Sequence, residues 1–278
     1  MTQFLKLLDW IDINKLNWYE LSGNPSAIHL LEQNINKINW IYLSLNPSAI
    51  HLLEKNQDKI CWIWLSNNPG AIHILEKNQD KIDWSSLSQN PSAIHLLEQN
   101  PDKINWDLLS QNPRAIHLLE KNPDRIYWGY LSRNPGAIHL ISEALEQNPD
   151  KIYWDWLSSN PSAIHLLEQN PEKIYWPGLS CNPSAIHLLE QNINKIVWHR
   201  LSENPEAIHI LEENQNKINW FALSSNPAIF TYDYEKIKNQ IEQSGIKDEL
   251  LAHYYRPENA HKFMERGDVS VDFVERWK

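Results

Sequence analysis

Between Trp18 and Asn219 the hydrophobic and polar positions return every 22 residues. Trp stands at 18, 40, 62, 84, 106, 128, 154, 176, 198 and 220, with a single longer step of 26 between Trp128 and Trp154. A fixed period in this range marks an array of small supersecondary units that stack on one another. The copy from Trp84 to Asn105 reads WSSLSQNPSAIHLLEQNPDKIN, and its residues are numbered below as positions 1 to 22. Two Asn-Pro pairs divide it, Asn90-Pro91 and Asn100-Pro101. Asn accepts hydrogen bonds from the first free N–H groups of a helix, and Pro fits the first helical position, where an N–H has no partner to lose. The pattern therefore predicts two short helices per unit. One carries Ala93, Ile94, Leu96 and Leu97 on a broad apolar face, with His95 and Glu98 opposite. The other runs from Pro101 through Ile104, Trp106 and Leu109 into Ser110 and stops before the next proline. Burial of six larger side chains does not offset the ordering of a whole unit, so units must stabilise one another and the ends of the array must be sealed. The expected fold is all-α, an α-solenoid of about ten two-helix repeats with N- and C-terminal helical caps.

Residues 1–17 read as an N-terminal cap made from a worn copy, residues 18–225 as the array, and residues 226–278 as a C-terminal helical cap. Asn14-Lys15-Leu16 sits where Asn36-Lys37-Ile38 sits one period later, but Trp10 replaces the counterpart of Glu32. Ile141-Ser142-Glu143-Ala144 is inserted between Leu140 and Leu145. Four residues are close to one helical turn, so the helix should lengthen while His139 and Glu146 keep nearly their usual directions. Pro177-Gly178, read as lying in mid-helix, should kink or shorten its helix. Beyond Phe230 the period is lost, and helices are expected at 234–244, 246–255 and 257–266, with a short one at 270–277.

Seven Gly against sixteen Pro favour helices with hard starts. A formal charge of −10 disfavours general binding to nucleic acid or anionic membranes and leaves basic partners open. Cys61 and Cys181 occupy different positions of distant units, so a disulfide or shared metal is not expected, and a reducing, intracellular compartment is the simple reading. No signal peptide or membrane-spanning apolar run is found.

The run Leu87-Ser88-Gln89-Asn90-Pro91-Ser92-Ala93-Ile94-His95-Leu96-Leu97-Glu98 and its sister copies resemble a family of tandem-repeat proteins of large DNA viruses of protists, the giant viruses, built on LSxNPxAIHLLExNPxKIxW. Tyr232-Asp233-Tyr234-Glu235-Lys236-Ile237, Lys247-Asp248-Glu249-Leu250-Leu251 and Arg256-Pro257 are similar to that family's ending. The resemblance covers almost the whole chain. It implies a viral protein, in host cytoplasm or virion, with a viral or host partner. It carries over no activity, cofactor or catalytic residue.

Three ladders invite a chemical reading. His29, His51, His73, His95, His117, His139, His165, His187 and His209 recur, all but His139 with a Glu three residues later. Each pair supplies only two ligands, and stacked helices stand about 8–10 Å apart, so rungs do not share an ion. A structural role is expected instead, with each imidazole bonded to backbone or Ser of the adjacent unit, and a pH-responsive array is the further alternative. The Lys37 to Lys217 series should be neutralised by the Glu32 to Glu212 series. The repeated Trp should be core. Catalysis needs singular, converging groups, whereas nearly every polar residue here is repeated, so no enzyme, metal or cofactor is expected.

Variation between copies is more telling. It is concentrated at positions 2, 3, 6 and 22, of which 22, 3 and 6 step by three along the second helix and should face solvent. Tyr127, Tyr130, Arg133, Tyr153, Trp156 and Tyr175 put aromatics and an Arg there, the composition of interface hot spots. Tyr42, Leu45 and Trp64 form a second, smaller set. Tyr at position 22 can also pack on the neighbouring unit. The reading adopted is a non-enzymatic scaffold that binds another protein through the larger set. A self-associating structural protein is the alternative and a nucleic-acid-binding array the third.

Overall fold

The computed structural model describes residues 4–244. The helices expected at 246–255, 257–266 and 270–277 lie outside the described residues. The chain divides into two units, Thr2–Thr231 and a second comprising Met1 and Tyr232–Lys278.

Thr2–Thr231 is an all-α solenoid of short helices in a regular repeat. The element order within each 22-residue copy differs from the expected pair of helices. Trp84–Gln89 is helical, the Asn90-Pro91 turn follows, and Ile94–Gln99 forms the second helix. Pro101–Lys103 is then a single 3-10 turn, and the helix does not continue into the next copy. Ile104 and Asn105 are extended (φ −67°, ψ 125° and φ −86°, ψ 100°), and a new helix starts at Trp106. Two hydrogen bonds explain the break. The Asn105 side chain accepts from Leu108 N–H as an N-cap, and Asn105 N–H donates to Ser88 Oγ at 3.0 Å. Position 22 is thus a cap and not a helix interior. Consecutive extended residues point to opposite sides, which lets Ile82 and Ile152 at position 21 be buried while their neighbours Asp83 and Tyr153 are not. We refer to the first helix of each copy as the Trp helix and the second as the His helix.

The core is a stack of identical layers. Leu87 at position 4, Ala93 at position 10 and Leu97 at position 14, with their counterparts around the array, are fully buried. So are the Ser at position 5 and the Asn at position 7, and all their polar atoms are satisfied. Ser88 Oγ donates to Trp84 O while accepting from Asn105 N, which ties the end of a unit to its beginning. Asn112 Nδ2 donates to Ser88 O at 3.0 Å and Asn90 O at 3.1 Å in the preceding unit, and its Oδ1 caps the following turn at Arg114 N–H.

This Asn ladder has no end. Asn24, in the first full copy, donates to Ser224 O at 3.0 Å and Asn226 O at 2.9 Å, in the last. The Trp helix Trp18–Gly23 packs on Trp220–Ser224 as it does on Trp40–Leu45. The array closes into a ring of ten units, and the tenth is assembled from both ends of Thr2–Thr231. Trp220 to Ile229 supply its first part, and Ile13 to Asn17 supply positions 18 to 22. Lys15 stands over the Trp220 ring at 4.9 Å and Asn17 N–H donates to Ser224 Oγ at 2.8 Å, each in the place its repeat counterpart takes. Where the tenth His helix would lie, strand β1 (Leu5–Leu7) pairs with strand β2 (Phe230–Tyr232), whose Phe230 and Thr231 belong to this unit.

Around the ring the Trp helices pack directly on one another, whereas successive His helices meet chiefly through their long His and Glu side chains. The closer-packed layer of a ring is its inner one. The Trp helices therefore line the concave side and the His helices the convex side. This explains why the insertion is tolerated: it lengthens a convex-side helix to Ile138–Gln147, and Asn160 still reaches Ser132 O and Asn134 O at 3.0 Å. Pro177 produces no kink. The helix begins at Trp176, so Pro177 falls in its first turn, where no intrahelical N–H bond is lost. Gly178 is required by close approach, since a Cβ there would lie 2.8 Å from Asp155 O.

In the second unit, Tyr234–Ser244 is a helix, as the sequence leads one to expect, begun by Asp233 accepting from Lys236 N–H.

Ring closure makes the first rung equivalent to an interior one. Asn24→Ala and Asn112→Ala should each destabilise the chain by about 2–4 kcal/mol in urea unfolding, because each leaves two buried carbonyls and a turn N–H without partners. An Asn24→Ala chain of near wild-type stability would contradict closure.

Candidate functional site

The three ladders resolve into structural contacts, two of them with partners other than those expected. Seven of the nine ladder His present Nε2 to the Glu of the preceding unit, as in His95–Glu76 at 3.0 Å and His117–Glu98 at 2.9 Å, and not to backbone or Ser, while His29 meets Gln33 of its own helix. These pairs are solvent-exposed and join neighbouring His helices on the convex side. The insertion breaks the series: His139 pairs with Glu120, but among the described residues no pair joins His165 and Glu146, because the added turn moves Glu146 along the helix axis. The Lys series is not neutralised by the Glu series. Lys103 stands over the Trp84 ring of its own unit at 4.2 Å, Lys37 over Trp18 at 4.4 Å and Arg125 over Trp106 at 5.0 Å. No ion pair joins a ladder Lys to a ladder Glu among the described residues. The repeat Trp rings are half-buried against the core on one face, and nine of the ten, all but Trp154, carry a cation on the other. Among the described residues no cluster of three or more His, Cys, Asp or Glu has the geometry to hold a metal, and no helix is long and apolar enough to cross a membrane. Cys61 and Cys181 are both free thiols, in units on opposite sides of the ring.

Positions 2, 3, 6 and 22 project from the Trp helices away from the core, into the space the ring encloses. At position 22 the structure separates capping from non-capping residues, and Cys61 and Val197 are among those that provide no side-chain cap. Asn17, Asn39, Asp83, Asn105 and Asn219 cap the following Trp helix through their side chains. Tyr127, Tyr153 and Tyr175 precede three consecutive Trp helices and provide no side-chain cap. Loss of an Asn or Asp N-cap costs about 1 kcal/mol, so these three units forgo that stabilisation in favour of an exposed aromatic.

The larger candidate set is brought together, with one exception. Tyr127 and Tyr130 meet edge to face with centroids 4.9 Å apart, Tyr127 and Tyr153 lie 6.5 Å apart across a unit boundary, and Tyr130 meets Trp156 edge to face at 5.6 Å. Arg133 is over the Trp156 ring at 6.0 Å. Tyr175 is exposed one unit further on, with no ring contact, because position 3 of that unit is Gly178. Gly129, at position 2, leaves the room that Tyr127 occupies: a Cβ there would be 2.9 Å from the Tyr127 ring. Asp107 and Asp155, both exposed at position 2, flank the cluster.

In the smaller set, Tyr42 and Trp64 are exposed and Leu45 is half-buried. Beside them lies a group that sequence reasoning missed. Phe221, Tyr19, Ile41 and Ile63 all occupy position 2 of consecutive units, but Phe221 and Tyr19 become neighbours only through closure. Glu20 lies in the same arc. Burial raises its pKa, the Tyr42 hydroxyl partly offsets this, and the charge of Glu203, a full unit away beyond Trp220–Ser224, raises it further. That interaction across a unit fits the convergence of these positions towards the ring's interior.

Compared with family models, with curated proteins and with solved structures, the chain matches none.

Glu20 gives a pH-dependent test. Its pKa is higher in the folded chain than the ordinary value of 4.5, so ionisation is disfavoured by folding. The resulting cost is absent below the unfolded value and develops as pH rises through it. Glu20→Gln should therefore melt above the wild type at pH 7, and thermal scans of the two should converge as pH falls below the ordinary carboxylate range.

Proposed function

We propose that this chain is a non-enzymatic scaffold whose ring binds another protein through the arc formed by Tyr127, Tyr130, Arg133, Tyr153, Trp156 and Tyr175. The observation that carries this reading is that, of the five position-22 residues that give up the helix cap, three consecutive ones are exposed Tyr. Packing does not account for it, since units capped by Asn or Asp close the same core with the same hydrogen bonds. Clustered Tyr, Trp and Arg supply large contact area at low entropic cost and dominate binding energy where they occur. Neither self-association nor nucleic-acid binding has an equivalent observation in its favour, and the net charge of −10 opposes the latter. The flanking Asp107 and Asp155, with the same overall charge, favour a basic polypeptide, whose Arg or Lys would add cation–π contacts of the kind Arg133 already makes with Trp156.

A fluorescent synthetic peptide of about 20 residues, in which Arg and Lys alternate with Leu and Trp, is a suitable probe by anisotropy. The double variant Tyr130→Ala/Trp156→Ala should weaken its binding by about 10- to 100-fold with little change in urea midpoint. A variant that binds as the wild type does, or a chain that prefers an acidic peptide of the same pattern, would count against the reading.

A further inference from the structure

We infer that the ring takes its partner as a single basic polypeptide segment threaded through the lumen, held between two aromatic and aliphatic arcs that face each other across it. This rests on the protein-binding reading above and adds the mode of binding and a second contact surface. The first arc is the cluster from Tyr127 to Tyr175. The second spans four consecutive units across the closure, where Phe221, Tyr19, Ile41 and Ile63 are 54%, 59%, 50% and 57% exposed and are joined by Tyr42 and Trp64. Counting Trp helices around the ring, the second arc occupies the tenth, first, second and third, and the first arc the sixth to eighth. They lie on opposite walls.

The size of the opening selects the occupant. Ten helices packed about 8–10 Å apart place their axes on a circle of radius about 13–16 Å. Each helix with its side chains reaches about 5–6 Å from its axis, which leaves an opening on the order of 14–22 Å. At the narrow end of that range one helix of about 10–12 Å diameter comes within side-chain reach of both walls, whereas a folded domain of about 30 Å does not enter.

Charge selects its sign. Among the described residues the wall carboxylates Glu20, Asp83, Asp107 and Asp155 make no ion pair to a basic residue, while Arg200 is held by Glu203 at 2.8 Å. Arg133 is the cation that remains among the variable wall positions apart from His199. Focused by a concave surface, the excess of carboxylates attracts Lys and Arg from solution.

The experiment uses the full chain and the same Arg/Lys/Leu/Trp probe in three forms: with free ends, with a folded domain of about 30 Å fused at one end, and with such a domain at both ends. Threading predicts equal affinity for the first two and an association rate lowered by about tenfold or more for the third, because a closed ring must open to admit it. It also predicts that Tyr19→Ala/Ile63→Ala, on the wall opposite Tyr130, weakens the free-ended probe by about tenfold. Both side chains are exposed, so the variant should keep the wild-type urea midpoint. If the doubly blocked probe binds as fast as the free one and Tyr19→Ala/Ile63→Ala has no effect, while Tyr130→Ala/Trp156→Ala still weakens binding, threading is overturned and the arc at Tyr127–Tyr175 stands. If the probe is indifferent to Tyr130 and Trp156, or is not bound, the protein-binding reading falls with it.

Discussion

The buried Asn at position 7 is the constraint on which the rest of the structure depends. An amide with no solvent exposure must find partners for every donor and acceptor, and here they come from three places at once: two carbonyls of the preceding unit and one N–H of its own turn. Those partners exist only when the neighbouring unit has the same backbone path at Ser and Asn. Each unit is therefore a template for the next, in a way that apolar contact alone does not impose, because hydrophobic packing tolerates shifts that a pair of buried hydrogen bonds does not.

A chain of such demands leaves the first Asn unsatisfied unless something precedes it. Solenoids commonly meet the problem with a dissimilar cap. In this protein the rung before Asn24 is the last one, Ser224 and Asn226, and the remaining deficit at the junction is filled by pieces of both ends of the array. Lys15 and Asn17 complete the tenth unit with side chains at repeat positions, while Leu5–Leu7 and Phe230–Tyr232 pair as strands in place of a helix whose sequence has been lost. Closure removes exposed ends and fixes curvature, since ten units must share a full turn. It also divides the ring into a close-packed inner layer and a looser outer one. The four-residue insertion falls in the outer layer, where it leaves the buried rung at Asn160 intact.

Much of this was legible in the chain. The period, the all-α class, the burial of Leu and Ala and the helix at 234–244 all follow from spacing and cap chemistry. What escaped did so for identifiable reasons. The break at Ile104-Asn105 is decided by Ser88 Oγ, a partner seventeen residues away, and local propensity favours continuation through it. The partners of His and Lys were assigned by sequence neighbourhood and charge sign, whereas across stacked units His95 reaches Glu76, nineteen residues back, and Lys103 finds the ring of Trp84. Closure itself has no local signature, because a ring and an open spiral share the same repeat. The one available clue was Asn14-Lys15-Leu16, which continues the pattern of a unit whose beginning is absent before it and present at Trp220.

Closure also changes what a variable position can mean. In an open array, position 22 of one unit and position 2 of a unit several copies away are unrelated surfaces; in the ring they belong to one enclosed wall. The residues that repeat are consumed by the demands of stacking: Asn and Ser by buried hydrogen bonds, Leu and Ala by the core, Trp by the cation above it. Only the inward stripe is released from those demands, and there the sequence is not random. Caps are kept at Asn39, Asp83 and Asn105 and given up at Tyr127, Tyr153 and Tyr175, while aliphatic and aromatic side chains gather on the opposite side around Tyr19 and Ile41. Ring contacts among Tyr127, Tyr130 and Trp156 stabilise their own arc, but the exposure of these side chains and of Tyr19 and Ile41 does not, and a lost cap opposes it. Their concentration on two facing walls is the feature from which the proposal of an enclosed ligand starts.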